Sequence, residues 1–247
     1  MKSLIRVSIL ALTSILAVAA DKQKKGYTPQ VVVPDELDAT LFSPNTLTPC
    51  VACIGVAPTG EVYAGVDQYG SLGKGGGKGK IIRLIDKDHD GIHDSHTVYA
   101  VIDNPRGVVP VGDKLYVLHT KWGEGTQFEG MFLSVLQDKD ADGVADGPPK
   151  HLAKEISTRK FNQARGVDHT TNGIRMGIDG WIYVAVGDFG FVDATGTDGK
   201  KLTMYGGGII RVRPDGTELE TYANGLRNIY DVAIDPFMNV FTRGNTN

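Results

Sequence analysis

Only two cysteines, Cys50 and Cys53, occur among the 247 residues, too few for a disulfide framework that could replace a hydrophobic core. Basic runs are missing as well. Lys and Arg number 26 against 29 Asp and Glu, a formal net charge of −3, so no face is prepared to neutralise phosphates and nucleic acid is excluded as an expected partner. Apolar stretches with a 3.6-residue period long enough for a helix are nearly absent, which argues against an α-helical fold. No H-E-x-x-H, G-x-S-x-G or G-x-x-x-x-G-K-[ST] occurs, which removes the zinc-protease, α/β-hydrolase and phosphate-loop readings. The Gly-rich stretch Gly73 to Gly79 therefore reads as a flexible surface loop. What is plentiful is glycine, 32 residues, in a chain that is 41% hydrophobic, the profile of a soluble globular protein with many tight turns.

The first twenty residues stand apart. Lys2 and Arg6 form a positive n-region, Val7 to Val18 an apolar stretch, and Ala17 to Ala20 a small-residue cleavage site, so residues 1–20 are expected to be a secretory signal peptide. The apolar run is shorter than the roughly 20 residues of a membrane span and is broken by Ser8, Thr13 and Ser14, so no transmembrane span is expected in the mature chain. No Cys lies at the cleavage point, and a lipoprotein is not indicated. The expected destination is the periplasm or the cell exterior. There Cys50 and Cys53 form either a local structural disulfide or two quiet thiols, since Ile54 stands where a C-x-x-C-H haem site needs His.

An internal repeat organises residues 21–247. Asp86-Lys87-Asp88-His89-Asp90-Gly91-Ile92-His93-Asp94 and Asp138-Lys139-Asp140-Ala141-Asp142-Gly143-Val144-Ala145-Asp146 share one D-x-D-x-D-G-x-x-D pattern, and the second begins 52 residues after the first. Tyr63, Tyr116, Tyr183 and Phe241 sit in short Val- and Ile-rich runs at intervals of 53, 67 and 58 residues. A beat of roughly 40 to 50 residues made of about four strands is that of a propeller blade. The expected fold is therefore an all-β propeller with about four blades in this chain. It is expected to be the N-terminal part of a longer propeller, or a small one closed by a strand over Gln30 to Pro34.

Alternate carboxylates, a glycine turn and a following backbone carbonyl are what an oxygen cage for Ca²⁺ requires. The expected ligands are Asp86, Asp88, Asp90, Asp94 and the Ile92 carbonyl in one loop, and Asp138, Asp140, Asp142, Asp146 and the Val144 carbonyl in the other. Thr97 and Pro149 occupy the position where an EF-hand holds Glu, so these are not EF-hands, and a solvated Asp/Gly turn is the plain alternative. Arg106, Arg165 and Arg227 recur at matching points before inner strands; they either converge on an anionic ligand or tie neighbouring blades together. His169, shortly before the strand that runs to Asp188, is placed to act as a general base with Asp188 as its neighbour.

His169 to Asp188 (HTTNGIRMGIDGWIYVAVGD) and Gly225 to Pro236 (GLRNIYDVAIDP) resemble segments of the glucose/sorbosone dehydrogenase family, and more closely those of exported dehydrogenase-like proteins of planctomycete-type bacteria. The resemblance implies a six-bladed propeller that holds pyrroloquinoline quinone (PQQ) and calcium and oxidises a sugar or other alcohol, with a cytochrome as a suitable electron acceptor. It implies His169 as the base, Asp188 as its neighbour, and Arg227 with Asn228 as contacts to the quinone oxygens. Ile229 departs from the family's R-N-P motif, and the family's cofactor calcium is not the one the acidic loops would hold. The competing expectation is a calcium-stabilised exported propeller without catalysis that binds a glycan or a protein.

Overall fold

A computed structural model describes residues 31–245 of the chain. The expected signal peptide, residues 1–20, lies outside the described residues, as does Gln30. The chain divides into two units, 1–42 and 43–247. In the first, residues 31–34 form no strand, so the closing strand expected over Gln30 to Pro34 is not found in its described part; Leu37 N–H instead closes a turn on the Pro34 carbonyl at 2.9 Å.

The second unit is a series of antiparallel sheets. β1 (Val51–Val56), β2 (Val62–Asp67), β3 (Gly79–Ile85) and β4 (Ser95–Val101) pair in chain order, with Ile54 opposite Ala64 and Ala64 opposite Ile82. β5 (Asp103–Val111), β6 (Lys114–Trp122), β7 (Phe128–Gln137) and β8 (Lys150–Lys154) repeat the arrangement. After the short helix α1 (Arg159–Arg165) come β9 (Asn172–Met176) and β10 (Ile182–Val186). The hairpin β11 (Phe191–Gly196) and β12 (Lys201–Met204) then intervenes before β13 (Gly207–Val212) and β14 (Glu220–Leu226) complete the third blade. β15 (Val232–Ile234) and β16 (Val240–Thr242) are two strands of a fourth. The four aromatic markers of the repeat fall on β2, β6, β10 and β16, the second strand each time.

Alternation along a strand sends successive side chains to opposite faces, and in β6 and β10 both faces are buried. In β6, Leu115 and Val117 join the core between the first two blades with Ile81 and Tyr99, while Tyr116 and Leu118 join the core shared with the third blade. In β10, Ile182, Val184 and Val186 face the second blade, and Tyr183 and Ala185 face Ile229 and Val232 of the fourth. The β11–β12 hairpin, absent from the expected four-strand unit, lays β11 along β8, so the third blade covers the outer edge of the second.

The Gly-rich segment is not a loose surface loop. Gly75 and Gly79 are buried, Gly77 N–H donates to Asp103 Oδ1 at 2.7 Å, and the preceding Ser71 carbonyl accepts Val167 N–H at 2.8 Å. Its composition reflects close approach to neighbouring backbone: a Cβ at Gly79 would stand 2.2 Å from the Ile102 carbonyl oxygen. Cys50 and Cys53 are both free thiols, and burial pushes the Cys53 thiol up to about 12, which makes it unreactive.

One polar line crosses the second blade. His119 Nδ1 meets the Thr120 carbonyl at 2.9 Å, its Nε2 meets Ser134 Oγ at 2.8 Å, and Ser134 Oγ meets His151 Nδ1 at 2.8 Å. A carbonyl only accepts, so His119 is protonated at Nδ1, Ser134 donates to its Nε2, and His151 donates to Ser134. Burial lowers His119 to about 4, and burial followed by Lys154 and Lys121 lowers His151. A His119 held neutral in the fold binds its proton more readily when unfolded, so stability falls as the pH drops from its ordinary 6.5 toward 4. At pH 5 the loss attributable to His119 is about 2 kcal/mol relative to pH 8. Urea unfolding at the two pH values should show it, and His119→Gln should flatten that slope.

Candidate functional site

Because neighbouring strands run in opposite directions, the connections separate into two sets. First-to-second and third-to-fourth strand turns lie at one end of the blades; second-to-third and blade-to-blade connections lie at the other. The acidic loops join third to fourth strands and so occupy the first end. The segments carrying His169, Asp188 and Arg227 occupy the second.

The two acidic loops share one conformation. His89 and Ala141 have φ of 58° and 59°, and Gly91 and Gly143 have 82° and 85°. In each, the first Asp accepts the glycine N–H through Oδ2, Asp86 from Gly91 at 3.0 Å and Asp138 from Gly143 at 2.9 Å. The last Asp accepts from the second residue, Asp94 from Lys87 at 2.7 Å and Asp146 from Lys139 at 2.6 Å. Oxygens of Asp86, Asp88 and Asp94 lie within 4.8 Å of one another, as do those of Asp138, Asp140 and Asp146. Asp90 and Asp142 stand outside these groups, each folded back to accept the amide two residues on, from Ile92 at 2.9 Å and from Val144 at 2.8 Å. The remaining oxygens, Asp86 Oδ1 and Asp138 Oδ1, are buried without a hydrogen-bond partner. A buried carboxylate oxygen with no donor, beside two further carboxylates, is a set that fits a hard cation.

At the opposite end, the strand β10 runs out into Gly187, whose missing side chain lets the chain press against residues 169 and 170: a Cβ there would lie 2.3 Å from both carbonyl oxygens. Gly187 N–H donates to the Thr170 carbonyl and Phe189 N–H to that of His169, which sets Asp188 beside the imidazole. His169 Nδ1 is 2.5 Å from Asp188 Oδ1, and its Nε2 is 3.4 Å from Asp168 Oδ2. Arg165, at the end of α1, pairs with Asp168, and Arg227 Nε stands 4.0 Å from Asp188 Oδ2 while its Nη1 donates to the Asn245 carbonyl. The Phe189 ring stacks on His169 at 5.6 Å, and the Arg165 guanidinium lies 5.9 Å from the centre of the same ring. Asn228 follows in the left-handed region, φ 28°, half-buried. Asp168 and Phe189 were not singled out in the sequence, although both adjoin residues that were.

Arg106 does not join this group. Its Nη2 is 2.8 Å from Asp67 Oδ2, and both side chains are buried, 6% and 1% exposed. Asn104 Nδ2 adds bonds to both Asp67 oxygens at 3.1 Å, and its own oxygen accepts from Thr120 at 2.5 Å and from Trp122 Nε1 at 2.6 Å. Of the three matching arginines, Arg106 is thus a tie between blades, whereas the side chains of Arg165 and Arg227 are 52% and 43% exposed. Removing one partner of a buried pair strands the other charge, so Arg106→Met should cost about 3–5 kcal/mol in urea unfolding. Arg165→Met, at a solvent-exposed pair, should cost less than about 1 kcal/mol.

Comparison with known proteins agrees with this architecture. A PQQ-bound aldose sugar dehydrogenase from Streptomyces coelicolor superposes with a TM-score of 0.52 at 19% identity, over 78% of this chain and 55% of that one. A protein described as a putative oxidoreductase (glucose dehydrogenase) from a Thermus species gives 0.53 at 16%, over 79% and 58%. The chain therefore spans a little over half the length of these two and shares their fold: it is part of a β-propeller of the sugar-dehydrogenase type. No curated protein matches it. Residues 32–247 match a family model described as a domain of unknown function, DUF7133, and the chain belongs to that family.

Proposed function

We propose that the chain is part of an exported dehydrogenase that oxidises a hydroxyl of a sugar or related alcohol with PQQ as the hydride acceptor. The family reading is the glucose/sorbosone dehydrogenase family in its planctomycete-type branch, and residues 1–20 serve as the cleaved signal. The observation that carries the reading is the contact of His169 Nδ1 with Asp188 Oδ1 at 2.5 Å, flanked by two arginines with exposed side chains. Arg165 and Arg227 suit carboxylates and carbonyl oxygens of a quinone, with Asn228 as a further donor, and Arg106 is withdrawn from that role by Asp67.

When bound, PQQ supplies a two-electron acceptor. The residues of the chain handle the proton. Asp188 accepts from Nδ1–H of His169, which fixes the tautomer and leaves Nε2 as the acceptor. That nitrogen would take the proton from the hydroxyl oxygen as the hydride leaves the carbon that bears this hydroxyl, and Asp188 would then stabilise the imidazolium. Arg165 neutralises Asp168, whose carboxylate would otherwise compete for the same nitrogen. The acidic loops, at the far end of the blades, bind Ca²⁺ for stability and take no part in this chemistry.

Two measurements test these statements. The chain, with any continuation of its natural reading frame, is reconstituted with PQQ and Ca²⁺, and dye reduction is followed over a panel of aldoses. His169→Ala should lower activity by at least about 100-fold while PQQ binding persists. Wild-type protein that binds no PQQ would overturn the enzyme reading in favour of a non-catalytic propeller that binds a glycan or protein. Separately, Ca²⁺ at 100 times its Kd should stabilise the fold by about 2.7 kcal/mol for each loop that binds, read as a rise in Tm. Asp88→Asn combined with Asp140→Asn should abolish that rise.

A further inference from the structure

The second acidic loop does more than close its own hairpin. It leaves β7, turns at Gly143, and lies against the first blade before it enters β8. Thr97 Oγ1 of β4 donates to the Gly143 carbonyl at 2.5 Å, and Ala145 N–H donates to the Tyr99 carbonyl of the same strand at 2.9 Å. The Ala145 side chain packs on the core that Ile81 and Tyr99 of the first blade form with Leu115, Val117 and Leu136 of the second. Gly143 permits the approach: a Cβ at that position would lie 2.9 Å from Arg83 Nη1 and 3.0 Å from Thr97 Oγ1. Arg83 is itself held by Glu61 at 2.9 Å.

Both bonds across the blade boundary come from the three residues that follow Asp142, so their geometry depends on how the loop is held. Three carboxylates with oxygens inside 4.8 Å repel one another, and that repulsion works against the folded loop. A cation among Asp138, Asp140 and Asp146 removes it and fixes the turn. We infer that the second loop is an inter-blade clamp, in which cation occupancy sets how firmly the second blade is docked on β4 of the first. The inference rests on the calcium reading above, and it adds a coupling that binding within one hairpin would not produce.

Hydrogen exchange read by mass spectrometry tests the coupling in an Asp88→Asn background, where the first loop no longer contributes to β4. Calorimetric titration with Ca²⁺ alone establishes whether the second loop binds. Expected on Ca²⁺ addition is exchange slowed on the order of tenfold at residues 95–101 of β4 as well as in the loop's own hairpin, residues 133–154. Adding Asp140→Asn should remove both effects. Adding Thr97→Val, which keeps all the carboxylates, should leave Ca²⁺ binding and hairpin protection intact and lose the effect at 95–101. Binding with protection confined to 133–154, or undiminished protection of β4 in the Thr97→Val protein, overturns the clamp and leaves the calcium reading standing. Absence of Ca²⁺ binding in the calorimeter overturns both.

Discussion

The constraint on which this structure depends is that its blades are apolar on both faces. A strand with one wet face reads as an alternation of apolar and polar residues, but β10 is buried at all five positions and sends its side chains by turns into two different cores. No such sheet is stable in water alone. Each blade must be sandwiched, and the stacking of blades about an axis satisfies that demand. The same demand accounts for the β11–β12 hairpin, which carries Phe191, Ala194 and Met204 into the core between the second and third blades while it pairs with the edge of β8.

Stacking also separates chemistry by position. The end where first strands turn into second and third into fourth carries the two acidic loops, whereas the end where one blade passes to the next brings segments distant in the chain together. At that second end the same contact is made twice. An arginine at the entry of one blade faces an aspartate at or just past the end of the second strand of the preceding blade, Arg106 with Asp67 and Arg227 with Asp188. The first pair is closed at 2.8 Å, buried, and joined by Asn104, which donates to both Asp67 oxygens; the second stands at 4.0 Å, with the other Asp188 oxygen held by His169. A structural tie in one place thus becomes, by the insertion of an imidazole, an arrangement with an exposed arginine side chain and an oriented ring.

Much of this was legible in the sequence because it repeats. The D-x-D-x-D-G loops, the spacing of Tyr63, Tyr116, Tyr183 and Phe241, and the pairing of His169 with Asp188 all follow from short local patterns. What was not legible depends on partners far along the chain. Nothing near Arg106 announces that Asp67, 39 residues earlier, will bury it. The Gly73 to Gly79 stretch looks like a loose loop until the backbone of residues 102–104 is seen against it, and the β11–β12 hairpin, which pairs with the blade before it, lies outside the four-strand pattern. Asp90 and Asp142, expected among the ligands, stand outside the carboxylate groups and spend an oxygen on the local amide. Side chains of Asp and Asn commonly make that bond in turns, and no spacing rule distinguishes it from ligation.

The histidines show why position decides the role more than residue type does. His119 is 3% exposed, its two nitrogens are committed to Thr120 and Ser134, and burial holds it neutral well below the pH at which an imidazole ordinarily titrates. Such a ring can neither meet a substrate nor release a proton to solvent, so it serves packing. His169 has a 16% exposed side chain, one nitrogen committed to Asp188, and the other facing a carboxylate that Arg165 already balances. A general base requires one anchored nitrogen, one accessible nitrogen, and a counter-charge for the cation it becomes. His169 combines an anchored nitrogen, a partly accessible ring and a counter-charge, and this is the physical ground on which the catalytic reading rests.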